Sequence, residues 1–187
     1  MSRQSRERGS SSRPPQGRSP GEDADYEGIR LQFVAYLGNI RIPVQVDIGF
    51  GDVVTPGPVQ VEYPTLLNLP APVLSAYPRE TVVAEKCEAM VKLGMANSRM
   101  KDFHDLSSLA EQFGFDGAIL AHAIAETFAR RKTDIPAALP TALTAEFYED
   151  NSKRQQWTAF TQRNQLYIER RELSEVGTAV AAFLMPV

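Results

Sequence analysis

Three short segments carry residues whose type and spacing could do chemistry. The first is Val44-Gln45-Val46-Asp47-Ile48-Gly49-Phe50-Gly51-Asp52. Strand alternation puts Asp47 on a polar face at a strand end, beside a turn holding Gly49 and Gly51. A carboxylate there can meet a divalent cation, which prefers hard oxygen ligands, and the glycines let a phosphate-bearing ligand approach the backbone. The same residue is also described by a plain surface aspartate at a strand end. One carboxylate is short of the several acids that two-metal phosphoryl transfer needs.

The second segment is Glu85-Lys86-Cys87-Glu88-Ala89-Met90, where a helical lysine can reach a triphosphate as a point charge or simply pair with a neighbouring glutamate. The third is Asn97-Ser98-Arg99-Met100-Lys101-Asp102-Phe103-His104-Asp105-Leu106. Asp102 and Asp105 stand three apart and share a helix face, and Lys101 can pair with Asp105 four residues on. Arg99, Lys101, Asp102 and Asp105 either bind phosphate and orient a lysine, or form a salt-bridge cluster that opens a helix. His104 lacks a partner at metal-ligand spacing, and His122 sits among apolar helix residues; both read as structural. Cys87 is mid-helix with no histidine to activate it.

The elements that must position these residues follow from periodicity. Ile29, Leu31, Phe33, Ala35 and Leu37 alternate with Arg30, Gln32, Val34 and Tyr36, which predicts a strand. Gly38-Asn39 predicts a tight hairpin turn. In the return strand Ile40, Ile42, Val44, Val46 and Ile48 face the core, and Pro43 suits an edge. Val59–Tyr63 adds a third extended piece, and prolines at 56, 58, 64, 70, 72 and 78 exclude helix between them. Helices are expected over Thr81–Leu93, Lys101–Gln112 and Gly117–Arg131, the last capped by Asp116. Shorter ones are expected near Thr144–Tyr148, Lys153–Leu166 and Glu175–Leu184. The fold class is α+β, a small antiparallel sheet followed by a mostly helical C-terminal half.

Composition excludes several function classes. The 187 residues suit one domain, and a single cysteine and two histidines exclude a disulfide framework and a cysteine- or histidine-rich metal site. No apolar run approaches a membrane span, so a membrane partner is not expected and a cytoplasmic setting is the default. Residues 1–20 hold five arginines against Glu7, a balance of +4. With −3 on the whole chain, the other 167 residues carry −7, which is not the footprint of a protein that coats nucleic acid. The expected division is a disordered basic Ser/Pro/Arg-rich tail over 1–24 and one folded part over 25–187, with its sheet in 25–64 and its helices in 79–187. The chain lacks G-x-x-x-x-G-K-[ST], G-x-G-x-x-G after a strand, and G-x-S-x-G.

Order and spacing of the three segments, together with Tyr26–Gly28, Tyr77-Pro78-Arg79-Glu80-Thr81 and Ala84-Glu85-Lys86, resemble the AbiEii/AbiGii toxin family of nucleotidyltransferases, a branch of the DNA polymerase β-like superfamily. The likeness runs from about Asp25 to about Phe160 and is densest from Asp47 to Leu106. The resemblance implies transfer of a nucleotide from an NTP, with Mg²⁺, to an acceptor such as tRNA. It also implies a cognate antitoxin and the toxin–antitoxin setting of abortive infection and phage defence. By resemblance Asp47 is the third sheet carboxylate and a metal ligand, Lys86 the lysine that contacts phosphate, and Asp102 or Asp105 the acid of the helical half. Arg99 and Lys101 become phosphate or RNA contacts, with Gly49 and Gly51 at the substrate-facing turn. The family's Gly-Ser turn followed by Asp-x-Asp has no counterpart: Gly9-Ser10 precedes arginines and prolines, and Asp23-x-Asp25 lacks strand character. The expectation is a chain missing that N-terminal part and weak or inactive as an enzyme, or else a non-catalytic nucleotide-binding or protein-interaction module. A nuclease of Asp…Glu-x-Lys type fits less well, because Glu85 and Lys86 are adjacent.

Overall fold

The computed structural model describes residues 28–165, 167 and 169–187. The tail expected over 1–24, the Tyr26 lead-in, Gly9-Ser10, Asp23 and Asp25 lie outside the described residues. Those described fall into two compact units, one ending at Asp52 and one spanning Val53–Val187.

The first unit contains a two-stranded antiparallel hairpin, β1 (Gly28–Leu37) and β2 (Ile40–Gly49). Its turn is Gly38-Asn39, with Gly38 at φ +60°, a conformation that suits a residue without a Cβ. The register pairs Ile29 with Ile48, Leu31 with Val46, Phe33 with Val44, Ala35 with Ile42 and Leu37 with Ile40, so one face is wholly apolar. The other face pairs Arg30 with Asp47 and Gln32 with Gln45. The expectation that the apolar face is core is corrected: Leu37 is 69% exposed, and Phe33, Ile40 and Ile48 are exposed as well. A ladder of two strands has no second layer of its own to cover either face.

In the second unit β3 (Val59–Glu62) forms where the third extended piece was expected. It pairs with β4 (Val73–Ala76), a strand whose short run had no alternation to announce it, in a separate two-stranded sheet. Among the described residues six α-helices follow: α1 (Arg79–Leu93), α2 (Met100–Gln112), α3 (Gly117–Arg131), α4 (Ala145–Glu149), α5 (Asn151–Arg163) and α6 (Leu173–Leu184). The result is α+β, with the separate ladders in place of a single small sheet.

Local chemistry explains the helix starts. Asp116 caps α3 by accepting from the backbone N–H groups of Ala118 and Ile119, and Asp150 caps α5 through the N–H of Lys153. Glu172 and Glu175 form a reciprocal capping box on α6. Helix α1 starts after Pro78, and Thr81 in its first turn is tied to Thr55 by two hydrogen bonds of 3.0 Å. Helix α5 ends at Arg163, short of Leu166, which lies outside the described residues.

The core gathers one face of every helix: Val83 and Met90 of α1, Phe103 and Leu106 of α2, Leu120 of α3, Phe147 of α4, Trp157 of α5 and Val180 of α6. Phe103 stacks on Phe147 at 5.3 Å between centroids. Each such aromatic contributes roughly 1.5–3 kcal/mol by leaving water. Trp157 donates its indole N–H to the carbonyl of Arg171 at 2.8 Å, so its polar edge is satisfied as well.

Gly177 of α6 lies against the ring of Tyr148, where a Cβ would approach within 2.3 Å. Alanine at 177 gains about 1 kcal/mol of helix propensity. The forced shift of a packed ring costs about 1–3 kcal/mol and dominates. Denaturant melts should therefore find Gly177→Ala less stable than wild type, whereas Gly114→Ala, whose Cβ meets nothing within 4 Å, should be near neutral.

Candidate functional site

The second and third segments meet. Lys86, on α1, extends its ammonium to α2, with Nζ 2.5 Å from Asp102 Oδ1 and 2.9 Å from Asp105 Oδ2. Lys101 reaches Asp105 from one turn earlier at 2.5 Å. The side chains of Lys86, Asp102 and Asp105 are 14–21% exposed, so the cluster is mostly shielded and still open to a ligand. Burial pushes the Lys86 ammonium toward losing its proton, but the hydrogen bonds to Asp102 and Asp105 outweigh burial and leave its pKa above the ordinary value. Burial also pushes the Asp105 carboxyl up, and the bonds from Lys101 and Lys86 together hold it below its usual range. An ammonium has three donors, and the two carboxylates use two of them.

Lys86 does not pair with its neighbouring glutamates. Glu85 and Glu88 stand three apart on an adjacent face of α1 and meet Arg131 of α3 at 3.3 and 2.9 Å. The buried Glu88 carboxylate also accepts from the Thr133 hydroxyl at 2.6 Å. Cys87 is packed against the core, and burial, followed by the charge of Glu88, raises its thiol to about 11, which leaves it a poor nucleophile. His104 is 3.6 Å from Asp105 and edge-on to Phe160. His122 is exposed on α3, beside Thr55, Pro56 and Ile119.

Arg99 is exposed at the cap position of α2, one turn from Asp102, and Lys101 is exposed beside it. Asp47 lies in the first unit, on the exposed polar face of β2, with Gly49 ending that strand and Gly51 following at φ +78°. Arg30 donates to both oxygens of Asp47, at 2.6 and 3.2 Å, and Gln45 adds a third bond at 3.0 Å. The Arg30 bond is the main reason that the Asp47 carboxyl is held below its ordinary range. Among the described residues no group of three or more His, Cys, Asp or Glu side chains could hold a metal ion. One carboxylate already engaged by a guanidinium does not make a two-metal centre, so the described residues do not fit a complete one.

Two further residues support the cluster: Asn97, which opens the third segment but has no role assigned to it from sequence, and Lys153, which lies outside all three segments. Asn97 is fully buried, and its Oδ1 accepts from the N–H of Arg99 at 2.8 Å. Lys153 is buried and donates to the carbonyl of Asn97 at 2.8 Å. The sequence places Lys153 at the start of an expected helix, Lys153–Leu166, but nothing local signals its burial.

A family model, nucleotidyl transferase AbiEii toxin of type IV toxin–antitoxin systems, matches residues 2–178. The chain belongs to the AbiEii nucleotidyl transferase toxin family. No curated relative and no solved structure matches it. AbiEii membership makes the chain a nucleotidyltransferase-type toxin of a toxin–antitoxin system, and in general terms points to a nucleotide substrate and an antitoxin partner. The AbiEii family generally uses divalent metals. Among the described residues no helix is long and apolar enough to cross a membrane.

The Lys86 cluster has a defined pH window. Asp105 has a lowered folded pKa, so its contribution to stability is present above the ordinary value of 3.8 and is lost as pH falls through the lower folded value. Lys86 has a raised folded pKa, so its contribution is complete below 10.5 and is lost as pH rises through the higher folded value. Urea melts of wild type and Lys86→Met should differ by about 1.5–3 kcal/mol on a plateau from about pH 5 to about pH 10, with the gap closing on both sides. A gap unchanged at about pH 2 would contradict this assignment.

Proposed function

We propose that the chain transfers a nucleotide from an NTP to an RNA acceptor such as tRNA, with Lys86 as the phosphate contact. The observation that carries the reading is the convergence of Lys86 with Asp102 and Asp105. An acceptor hydroxyl attacks the α-phosphorus and releases its proton to solvent, the bond from that phosphorus to the α–β bridging oxygen breaks, and pyrophosphate leaves with the bond's electron pair. A lysine held protonated through neutral pH, with a third N–H to offer, suits that leaving group. Asp102 and Asp105 orient the ammonium. Arg99 and Lys101, exposed at the same helix start, suit the phosphates of the nucleotide or the RNA.

Asp47 is the proposed metal ligand at the hairpin end, with Gly49 and Gly51 allowing close approach of substrate. The Mg²⁺ of the family would supply charge neutralisation at the α-phosphate. A cytoplasmic setting, where tRNA and NTPs are found, and a cognate antitoxin that restrains the toxin belong to the same proposal, as does a role in phage defence by abortive infection.

A second reading, a nucleotide-binding or protein-interaction module without chemistry, is favoured by the absence of a three-acid group among the described residues. Incubation with tRNA, labelled NTPs and Mg²⁺ separates the two. The proposal expects label on the tRNA, reduced by on the order of 10²-fold or more in Lys86→Ala and in Asp47→Ala. Asp47→Ala should melt with wild type, since its carboxylate is exposed. No label from wild type, with NTP still bound, would establish the module instead.

A further inference from the structure

Lys153 is only 6% exposed, yet among the described residues no carboxylate lies within ion-pairing distance of it. Its ammonium has one hydrogen-bond partner, the main-chain carbonyl of Asn97 at 2.8 Å, and sits 5.2 Å from the centroid of the Phe147 ring. Burying an ammonium against a neutral acceptor and an aromatic face is costly compared with a methionine of similar shape. Fold stability alone therefore does not account for a lysine here, so the bond's placement of Asn97 is the feature to explain.

Asn97 sits where the chain turns into α2. Its N–H donates to the carbonyl of Gly94 at 3.1 Å, and its Oδ1 accepts from the N–H of Arg99 at 2.8 Å. Next, Met100 N–H donates to Ser98 and Asp102 N–H to Arg99, each at 3.0 Å. Helix α2 has no side-chain cap of its own at Arg99. Its start is instead fixed by Asn97 from upstream, and Asn97 by Lys153 from α5. Asp102 is the third residue of that helix, so the same anchor sets where its carboxylate meets Lys86.

We propose that Lys153 is a positioning residue for the Lys86–Asp102–Asp105 cluster, acting through the carbonyl of Asn97. Its consequence for nucleotide binding rests on the proposed phosphate role of Lys86, but the positioning itself does not.

The test is acetylation footprinting of the folded full-length chain, with acetic anhydride as the probe and mass spectrometry comparing Lys86 with Lys92, an exposed lysine of the same helix. In wild type, pairing should keep Lys86 far less reactive than Lys92. Lys153→Met keeps the aliphatic stem and removes the donor, and should raise the relative reactivity of Lys86 severalfold while the circular dichroism spectrum stays native. Lys153→Arg retains a donor and should restore most of the protection. Trp157→Phe, on the same helix, loses its bond to Arg171 and should lower the melting temperature without exposing Lys86. Should Lys153→Met not fold, Asn97→Ala, which removes the acceptor of the Arg99 N–H, takes its place with the same expectation. Unchanged protection of Lys86 in a folded Lys153→Met or Asn97→Ala chain would overturn the proposal. So would equal exposure of Lys86 in Trp157→Phe, or failure of all the Lys153 and Asn97 variants to fold, since either makes the contact part of the general scaffold. A more reactive Lys86 with unaltered NTP binding would uphold the positioning role and remove the phosphate role of Lys86.

Discussion

A lysine shared between two carboxylates on the seam of two helices fixes more than its own position. Lys86 must leave water together with Asp102 and Asp105, and the desolvation of three charges is offset only when the geometry is close. That condition ties the rotation of α1 to the rotation of α2, because both acids must lie on the face of α2 turned toward Lys86. Their spacing of three residues supplies that face. Phe103 and Leu106, each one position beyond an acid, turn into the core at the same time.

Successive residues of α1 divide the remaining charge. Glu85 and Glu88 point to Arg131 and bind α1 to α3, whereas Lys86 points to α2. Cys87 and Met90 pack against the core. A helix turn of about 100° per residue is enough to send three neighbouring side chains to three different neighbours. A single helix thus carries a structural ion pair and the candidate site without either competing for the other's partner.

Much of this was legible in the sequence, because it depends on short-range rules. The register of the first hairpin followed from period-two alternation and Gly38-Asn39, and the Asp116 cap of α3 from residue type. The Lys101–Asp105 pair followed from its i, i+4 spacing. The bond from Lys86 to Asp102 was not legible from spacing, since 16 residues separate them and only the packing of α1 on α2 brings them together. Strand β4 was hidden for a related reason: a four-residue strand between Pro72 and Pro78 holds too few alternations to signal itself. Lys153 was missed because lysine is ordinarily exposed, and nothing local marks one that is buried on a distant carbonyl.

Lys86, held by Asp102 and Asp105, is proposed to keep one donor for the phosphates of a nucleotide. Equilibrium titration of a non-hydrolysable NTP into wild type and Lys86→Met measures that role most directly. Removing the ammonium also leaves two carboxylates facing the phosphates, so affinity is expected to fall by tenfold or more, on the order of 1.4 kcal/mol at least. Equal affinity for the two folded proteins would contradict a phosphate role for Lys86.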